Sequence, residues 1–242
     1  MSAYGCFAAS GAVIAAAWLR QHHRAMGLTE NEFWTALWLL VAGAVAGAKG
    51  CFVALGWHHY ADGELRFWAD FGTGFVFFGG LFGATFVGGL FAWWRRLDFW
   101  RGADYFAVAL PLGHAIGRVG CYCQGCCGGR APHPVQLYES AGLLLIALLM
   151  QRKLKRVEVG GIPRGTAFCA YAVLYGLLRL ALDPLRADGR LERYLGFSHQ
   201  QGIALGVSIA GAAGWCLLLR KRRTGTELLT VSAEHSAPSR SP

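Results

Sequence analysis

Charge is scarce in this chain. Asp, Glu, Lys and Arg make up 15% of its 242 residues, where a soluble protein carries about 25%. With 55% hydrophobic residues, that shortfall excludes an ordinary soluble domain and points to an integral membrane protein. Acidic residues are scarcest, 14 against 23 basic, for a formal charge of +9. A basic surplus often signals nucleic acid. Here the basic residues cluster in short loops between apolar runs, which is how membrane topology is encoded, so no nucleic-acid partner is expected. No group of positive charges precedes the first apolar run, and that run ends without a clear small-residue cleavage site. The first helix is therefore expected to stay in the mature protein. Internal repeats, heptads and a second domain are also missing. Without a repeat there are no paired broken helices, which counts against a transporter. The chain is rich instead in glycine (34) and tryptophan (9), both favoured by membrane proteins.

Seven apolar runs follow in order: Ala3 to Leu19, Phe33 to Leu55, Gly74 to Trp94, Ala103 to Ile116, Gln136 to Met150, Gly165 to Leu182 and His199 to Leu219. A bilayer core needs ~20 helical residues, so the fourth and fifth runs are short unless they extend into the polar stretch between them. The expectation is an all-α integral membrane protein of about seven transmembrane helices over residues 1–222, with a disordered cytoplasmic tail over 223–242. Loops after the first, third, fifth and seventh runs carry Arg20 and Arg24, Arg95 and Arg96, Arg152 to Arg156, and Arg220 to Arg223. The positive-inside rule places these loops in the cytoplasm, with the N-terminus outside and the C-terminus inside. Arg186, Arg190 and Arg193 then fall on the outer side, where anionic lipid headgroups would account for them.

The polar stretch is Gly113 to Arg130, followed at once by Pro132 to Glu139. It gathers glycines, arginines, histidines, cysteines, glutamines, tyrosines and a glutamate between two apolar runs. Ionisable groups at membrane depth are costly and mark function. Arg118, between Gly117 and Gly120, offers a planar fork of donors to a phosphate that small neighbours allow close; the plainer reading is snorkelling to the interface. Arg179 precedes Asp183 by four positions and can pair with it along a helix face. Arg186 joins that face if the helix survives Pro184. His133, between two prolines, and His114 are candidate bases or headgroup contacts. Cys121, Cys123, Cys126 and Cys127 leave three readings open: packing in a tight glycine turn, a disulfide, or a metal site. Tyr4 alone reads as an interfacial belt residue.

Taken together these motifs resemble the prolipoprotein diacylglyceryl transferase family. Gly117 to Gly120 with Gly125, Gly129 and Arg130 is similar to its signature, and His133 to Glu139 to its His-Pro-x-Gln-Leu-Tyr-Glu motif. Tyr175-Gly-Leu-Leu-Arg179 with Asp183 and Arg186 resembles a third motif. Tyr4-Gly5, Phe78-Gly79-Gly80-Leu81 and Gln201 match further segments, in order, along nearly the whole chain. The resemblance implies a multi-pass enzyme of the bacterial inner membrane with its site towards the periplasm. Such an enzyme moves a diacylglyceryl group from phosphatidylglycerol to the lipobox cysteine of a prolipoprotein signal peptide. It forms a thioether and releases glycerol phosphate, without metal or cofactor. By this analogy Arg118, Arg179 and His133 are catalytic. Tyr4, Gly79, Gly80, Cys121, Gln124, Gly129, Gln136, Tyr138, Glu139, Tyr175, Asp183 and Arg186 line the substrate site, with Glu139 and Asp183 orienting the arginines.

The chain departs from the family pattern at several positions. Phe78 stands where the family has histidine. Cys121 and Gln124 replace asparagines, Cys126 replaces a glutamate, and Ala48 with Lys49 replaces an arginine. With the motif histidine gone, the base is His133, His114, or none, the thiol ionising beside the arginines. The alternative function is a paralogue on the same scaffold that binds anionic lipid or handles thiols through its cysteines without this transfer.

Overall fold

The computed structural model describes residues 3–63, 66–67, 74–187, 193–194 and 197–235. Eight α-helices carry most of them: α1 (Ala3–Gln21), α2 (Glu30–Leu55), α3 (Trp57–Ala61), α4 (Phe77–Trp94), α5 (Phe99–Cys123), α6 (Val135–Glu158), α7 (Thr166–Leu182) and α8 (His199–His235). A 3-10 turn, Asp183–Leu185, follows α7, and two-residue strands β1 (Arg193–Tyr194) and β2 (Phe197–Ser198) pair antiparallel before α8. Among the described residues, four helical stretches are long and apolar enough to cross a bilayer: Glu30–Leu55, Phe99–Cys123, Thr166–Leu185 and Gln201–Arg222. Gly79–Trp94 is a shorter apolar helix. Helical backbone continues in α8 to His235, through much of the stretch expected as a disordered tail, while 236–242 lie outside the described residues.

The chain divides into two compact units, one of Met1–Leu19 with Trp100–Pro242 and one of Arg20–Phe99. In the smaller unit, Thr29 and Glu32 close a capping box on α2: Thr29 Oγ1 accepts from the Glu32 amide, and Glu32 Oε2 accepts from the Thr29 amide. Glu32 also pairs with Arg95 just past α4. The α2–α4 seam is built on glycine. A Cβ at Gly47 would strike the Gly79 carbonyl, and one at Gly83 would strike that of Gly43. Small residues four apart let two membrane helices touch backbone to backbone. Gly79 and Gly80, expected to line the substrate site, do this packing within the unit: Gly79 against Gly47 and Cys51, Gly80 against Ala44 and Ala48. Phe78 begins the same helix, and its side chain lies outside what the structure describes.

In the larger unit, α1 lies on α5, with Gly11 against Gly113 and Gly120 against Phe7 and the backbone of Tyr4. Gly176 of α7 takes Ser208 and the Ala204 carbonyl of α8. Asp104, fully buried in α5, accepts from the backbone amides of Gly165 (2.6 Å), Ala167 (2.9 Å) and Phe168 (3.0 Å) and so caps α7 from a neighbouring helix. Ser140 Oγ of α6 donates to the Ala115 carbonyl of α5 at 2.9 Å. These ties fix the ends of α5, α6 and α7 relative to one another.

Candidate active site

The helix α5 runs on past the apolar stretch, through Arg118 to Cys123, so the first half of the polar stretch is helix rather than a tight turn. It stops in a Schellman arrangement. Gly125 adopts φ +70°, its amide bonds the Tyr122 carbonyl (3.0 Å), and the Cys126 amide bonds the Cys121 carbonyl (3.1 Å). Gln136 Nε2, buried at the start of α6, donates to the Cys126 carbonyl at 2.8 Å and pins the turn. The chain then runs antiparallel to the segment after α7. Gly129 bridges Arg186, the Arg130 amide donates to the Leu185 carbonyl (2.8 Å), and the Ala187 amide to Gly128 (3.1 Å). Gly129 permits this: a Cβ there would run into the His133 carbonyl and Val135.

Glu139, 0% exposed, stands at the centre. Arg118 Nη2 lies 2.9 Å from its Oε1, Arg179 Nη1 3.5 Å and Arg186 Nη1 3.8 Å from its Oε2, and His114 Nε2 3.9 Å from its Oε1. The four partners come from α5, α7 and the segment beyond the 3-10 turn. His114 and Arg118 share a face of α5 at i and i+4, as do Tyr175 and Arg179 on α7. Pro184 ends the helix, yet Arg186 still arrives, because its backbone is extended and paired to Gly129. The Tyr175 ring sits edge-on to His114 (5.6 Å) and stacks on Tyr171 (6.0 Å).

Two features set the chemistry of this cluster. Even with the buried Asp183 counted beside Glu139, three guanidiniums outnumber the carboxylates. The second is direction. Both Glu139 oxygens are close to guanidinium nitrogens without hydrogen-bond geometry, and Arg118 Nε is buried with no hydrogen-bond partner among the described residues. A buried Arg118 donor without a hydrogen-bond partner, beside a gathered positive charge, suits a second oxyanion.

A family model described as prolipoprotein diacylglyceryl transferase matches residues 1–217. The chain belongs to the prolipoprotein diacylglyceryl transferase family. Curated relatives named phosphatidylglycerol–prolipoprotein diacylglyceryl transferase include those of Nostoc sp., 33% identical over 215 residues (77% of this chain, 74% of the relative), and Bacillus cytotoxicus, 28% identical over 233 residues (84% and 83%). That of Clostridium tetani is 25% identical over 207 residues (77% and 81%).

Against the residues expected for a prolipoprotein diacylglyceryl transferase, the structure brings together Arg118, Arg179, Arg186, Glu139 and Tyr175. Gly129 and Gln136 shape the neighbouring turn. Asp183 is buried at the end of α7 and its carbonyl accepts from the Arg186 amide at 3.1 Å. Tyr4, Gln124 and Tyr138 are exposed. His133 is exposed too, on the loop before α6, its ring 6.2 Å from Tyr138; the imidazole beside Glu139 is that of His114. Of the outer-side arginines assigned to lipid headgroups, Arg186 turns inward to Glu139, and Arg190 lies outside the described residues. Ser140 and Asp104 hold the site's helices together and were not singled out from the sequence. Both are polar residues within apolar stretches, which was the signal available.

Proposed function

We propose that this chain transfers the diacylglyceryl group of phosphatidylglycerol to the lipobox cysteine of prolipoproteins. The observation that carries the reading is the convergence of Arg118, Arg179 and Arg186 on Glu139. The names of the relatives supply the substrates. The guanidiniums bind the phosphodiester, and the cysteine sulfur attacks the glyceryl carbon that bears it. A carbon–sulfur bond forms, the carbon–oxygen bond breaks, and glycerol phosphate leaves with the bonding pair. The arginines stabilise that departing charge, the kind of interaction that contributes most to such catalysis. Glu139 is a positioning residue: it touches the arginines and holds them together. His114, 3.9 Å from Glu139, is the better placed of the two histidines to take the thiol proton; His133 is exposed on the loop before α6.

In this reading α1, α2, α4, α5, α6, α7 and α8 are the seven crossings, with the N-terminus outside and the C-terminus in the cytoplasm. The protein resides in the bacterial inner membrane, and the site opens to the periplasm and receives lipid and signal peptide from the outer leaflet. The basic loops at the opposite helix ends support this orientation. The test is complementation of a strain depleted of its own transferase. Wild-type protein is expected to restore growth and lipoprotein modification. Arg118→Ala and Arg179→Ala are expected to fail at equal membrane expression, each losing on the order of 100-fold or more in transfer rate. A well-expressed wild type that does not rescue ends this reading.

A further inference from the structure

The four cysteines of the polar stretch divide unequally. The Sγ atoms of Cys121, Cys126 and Cys127 all lie within 4.8 Å of one another, while Cys123 is exposed at the same helix end. Helix geometry explains part of this. Cys121 and Cys123 are two positions apart in α5 and point to different sides, whereas the turn at Gly125 doubles the chain back over Cys121. Cys127 completes the trio in a left-handed conformation, φ +57°, that costs a non-glycine residue energy and is kept only where surroundings enforce it. Those surroundings are the bond from Gln136 Nε2 to the Cys126 carbonyl and the pairing of Gly128 with Ala187. The trio spans burial classes: Cys121 buried, Cys126 half-buried, Cys127 exposed, so one side is open to solvent.

We propose that Cys121, Cys126 and Cys127 form a binding site for a thiophilic metal ion of the Zn2+ or Cu+ class. The Cys126 thiol donates to the Cys121 carbonyl at 3.6 Å, which accounts for that pair but not for Cys127 joining it, and a disulfide uses only two thiols. Three thiols within 4.8 Å of one another need only a small closure to form the face of a metal–thiolate polyhedron, in which metal–sulfur bonds of about 2.3 Å put the sulfurs roughly 4 Å apart. Soft thiolates select these ions, and three of them leave a position for a fourth ligand on Zn2+ or a trigonal site for Cu+. Arg118 lies near enough to interact electrostatically with Cys121 and Cys127, so its charge compensates the thiolates that the metal requires. The turn is already anchored, so little loop ordering opposes binding. The usual objection to a zinc site drawn from one short segment is met by the reversal at Gly125. The site adjoins the arginine cluster through Arg118, but the proposal does not depend on the transfer reading.

The experiment uses the full-length protein in detergent, reduced and freed of metal. Zn2+ and Cu+ are titrated separately against a competing chelator, and Co2+ serves as a spectroscopic probe. One ion per chain is expected for at least one of the two, and Co2+ is expected to give thiolate-to-metal charge-transfer absorption. Cys126→Ser and Cys127→Ser should each weaken binding by more than the roughly 10–100-fold typical of losing an outer-shell partner. Cys123→Ser and Cys216→Ser should leave it unchanged. Cys127 is exposed, so its serine variant keeps the test available if Cys121→Ser does not fold. The proposal is overturned by any of three results: neither ion is retained, binding survives both Cys126→Ser and Cys127→Ser, or alkylation in intact cells traps a disulfide between two of the three thiols.

Discussion

A guanidinium taken out of water needs a counter-charge, and three that meet at one point need it more. Bringing like charges within a few ångströms of each other costs several kcal/mol at the effective dielectric of a protein. Glu139 answers that cost for Arg118, Arg179 and Arg186 together. Glu139→Gln keeps the side-chain volume but removes the charge, and is expected to lower stability by about 3–5 kcal/mol, the cost of breaking a buried ion pair. Thermal unfolding in detergent measures this, and a melting temperature equal to that of wild type would contradict the role given to Glu139. The histidines provide a second residue-scale test. His114→Ala should reduce the transfer rate by about 100-fold or more, as loss of a proton acceptor does. His133→Ala should have a much smaller effect, measured with labelled phosphatidylglycerol and a lipobox peptide in vesicles; the reverse order would return the base to His133. Arg118, Arg179 and Glu139 stand out in the sequence as charges in or beside apolar runs, and the structure places them near one another. Which histidine lies nearer Glu139 is not legible there, since it depends on local fold.

Among the elements, the junctions matter more than the helices. Apolar length located α2, α4, α7 and the first part of α8 well, and left open how far α5 extends; its last two turns hold Arg118 and Cys121. The end of α5 has a physical cause that apolar length does not show. In the fold Gly120 is the small residue that admits Phe7 of α1. The stop comes only at Gly125, where positive φ is required. The cap on α7 was equally hidden, because Asp104 is some sixty residues away in sequence from the amides it serves. Asp104→Ala leaves the first turn of α7 without its acceptor and is expected to cost about 2 kcal/mol, the upper end for loss of a cap. Chemical unfolding of the purified protein checks this, and an unchanged midpoint would remove Asp104 from the account of how α7 is held.

For the whole molecule, the basic loops carry the orientation. A fluorescent protein fused after His235 is expected to fold and fluoresce, and alkaline phosphatase at the same point to remain inactive, because the proposed topology puts the C-terminus in the cytoplasm. The opposite pair of results would invert the topology and place the arginine cluster on the wrong side for periplasmic substrates. Composition was enough to establish a helical membrane protein, since 15% charge and 34 glycines admit few other classes. The division into two compact units was not readable, because it rests on which glycine faces meet: Gly43 and Gly47 with Gly79 and Gly83 in one unit, Gly11 with Gly113 in the other.

A carboxylate that cannot leave is a resident competitor. On the proposed function, Glu139 would keep the three guanidiniums from drifting apart between turnovers, so that the site need not be rebuilt for each lipid. The same anchored anion limits how firmly any diffusing phosphate can be gripped, because each newcomer is measured against a negative charge already seated. In that reading, release of the spent headgroup would be easier, at the expense of affinity for the incoming one.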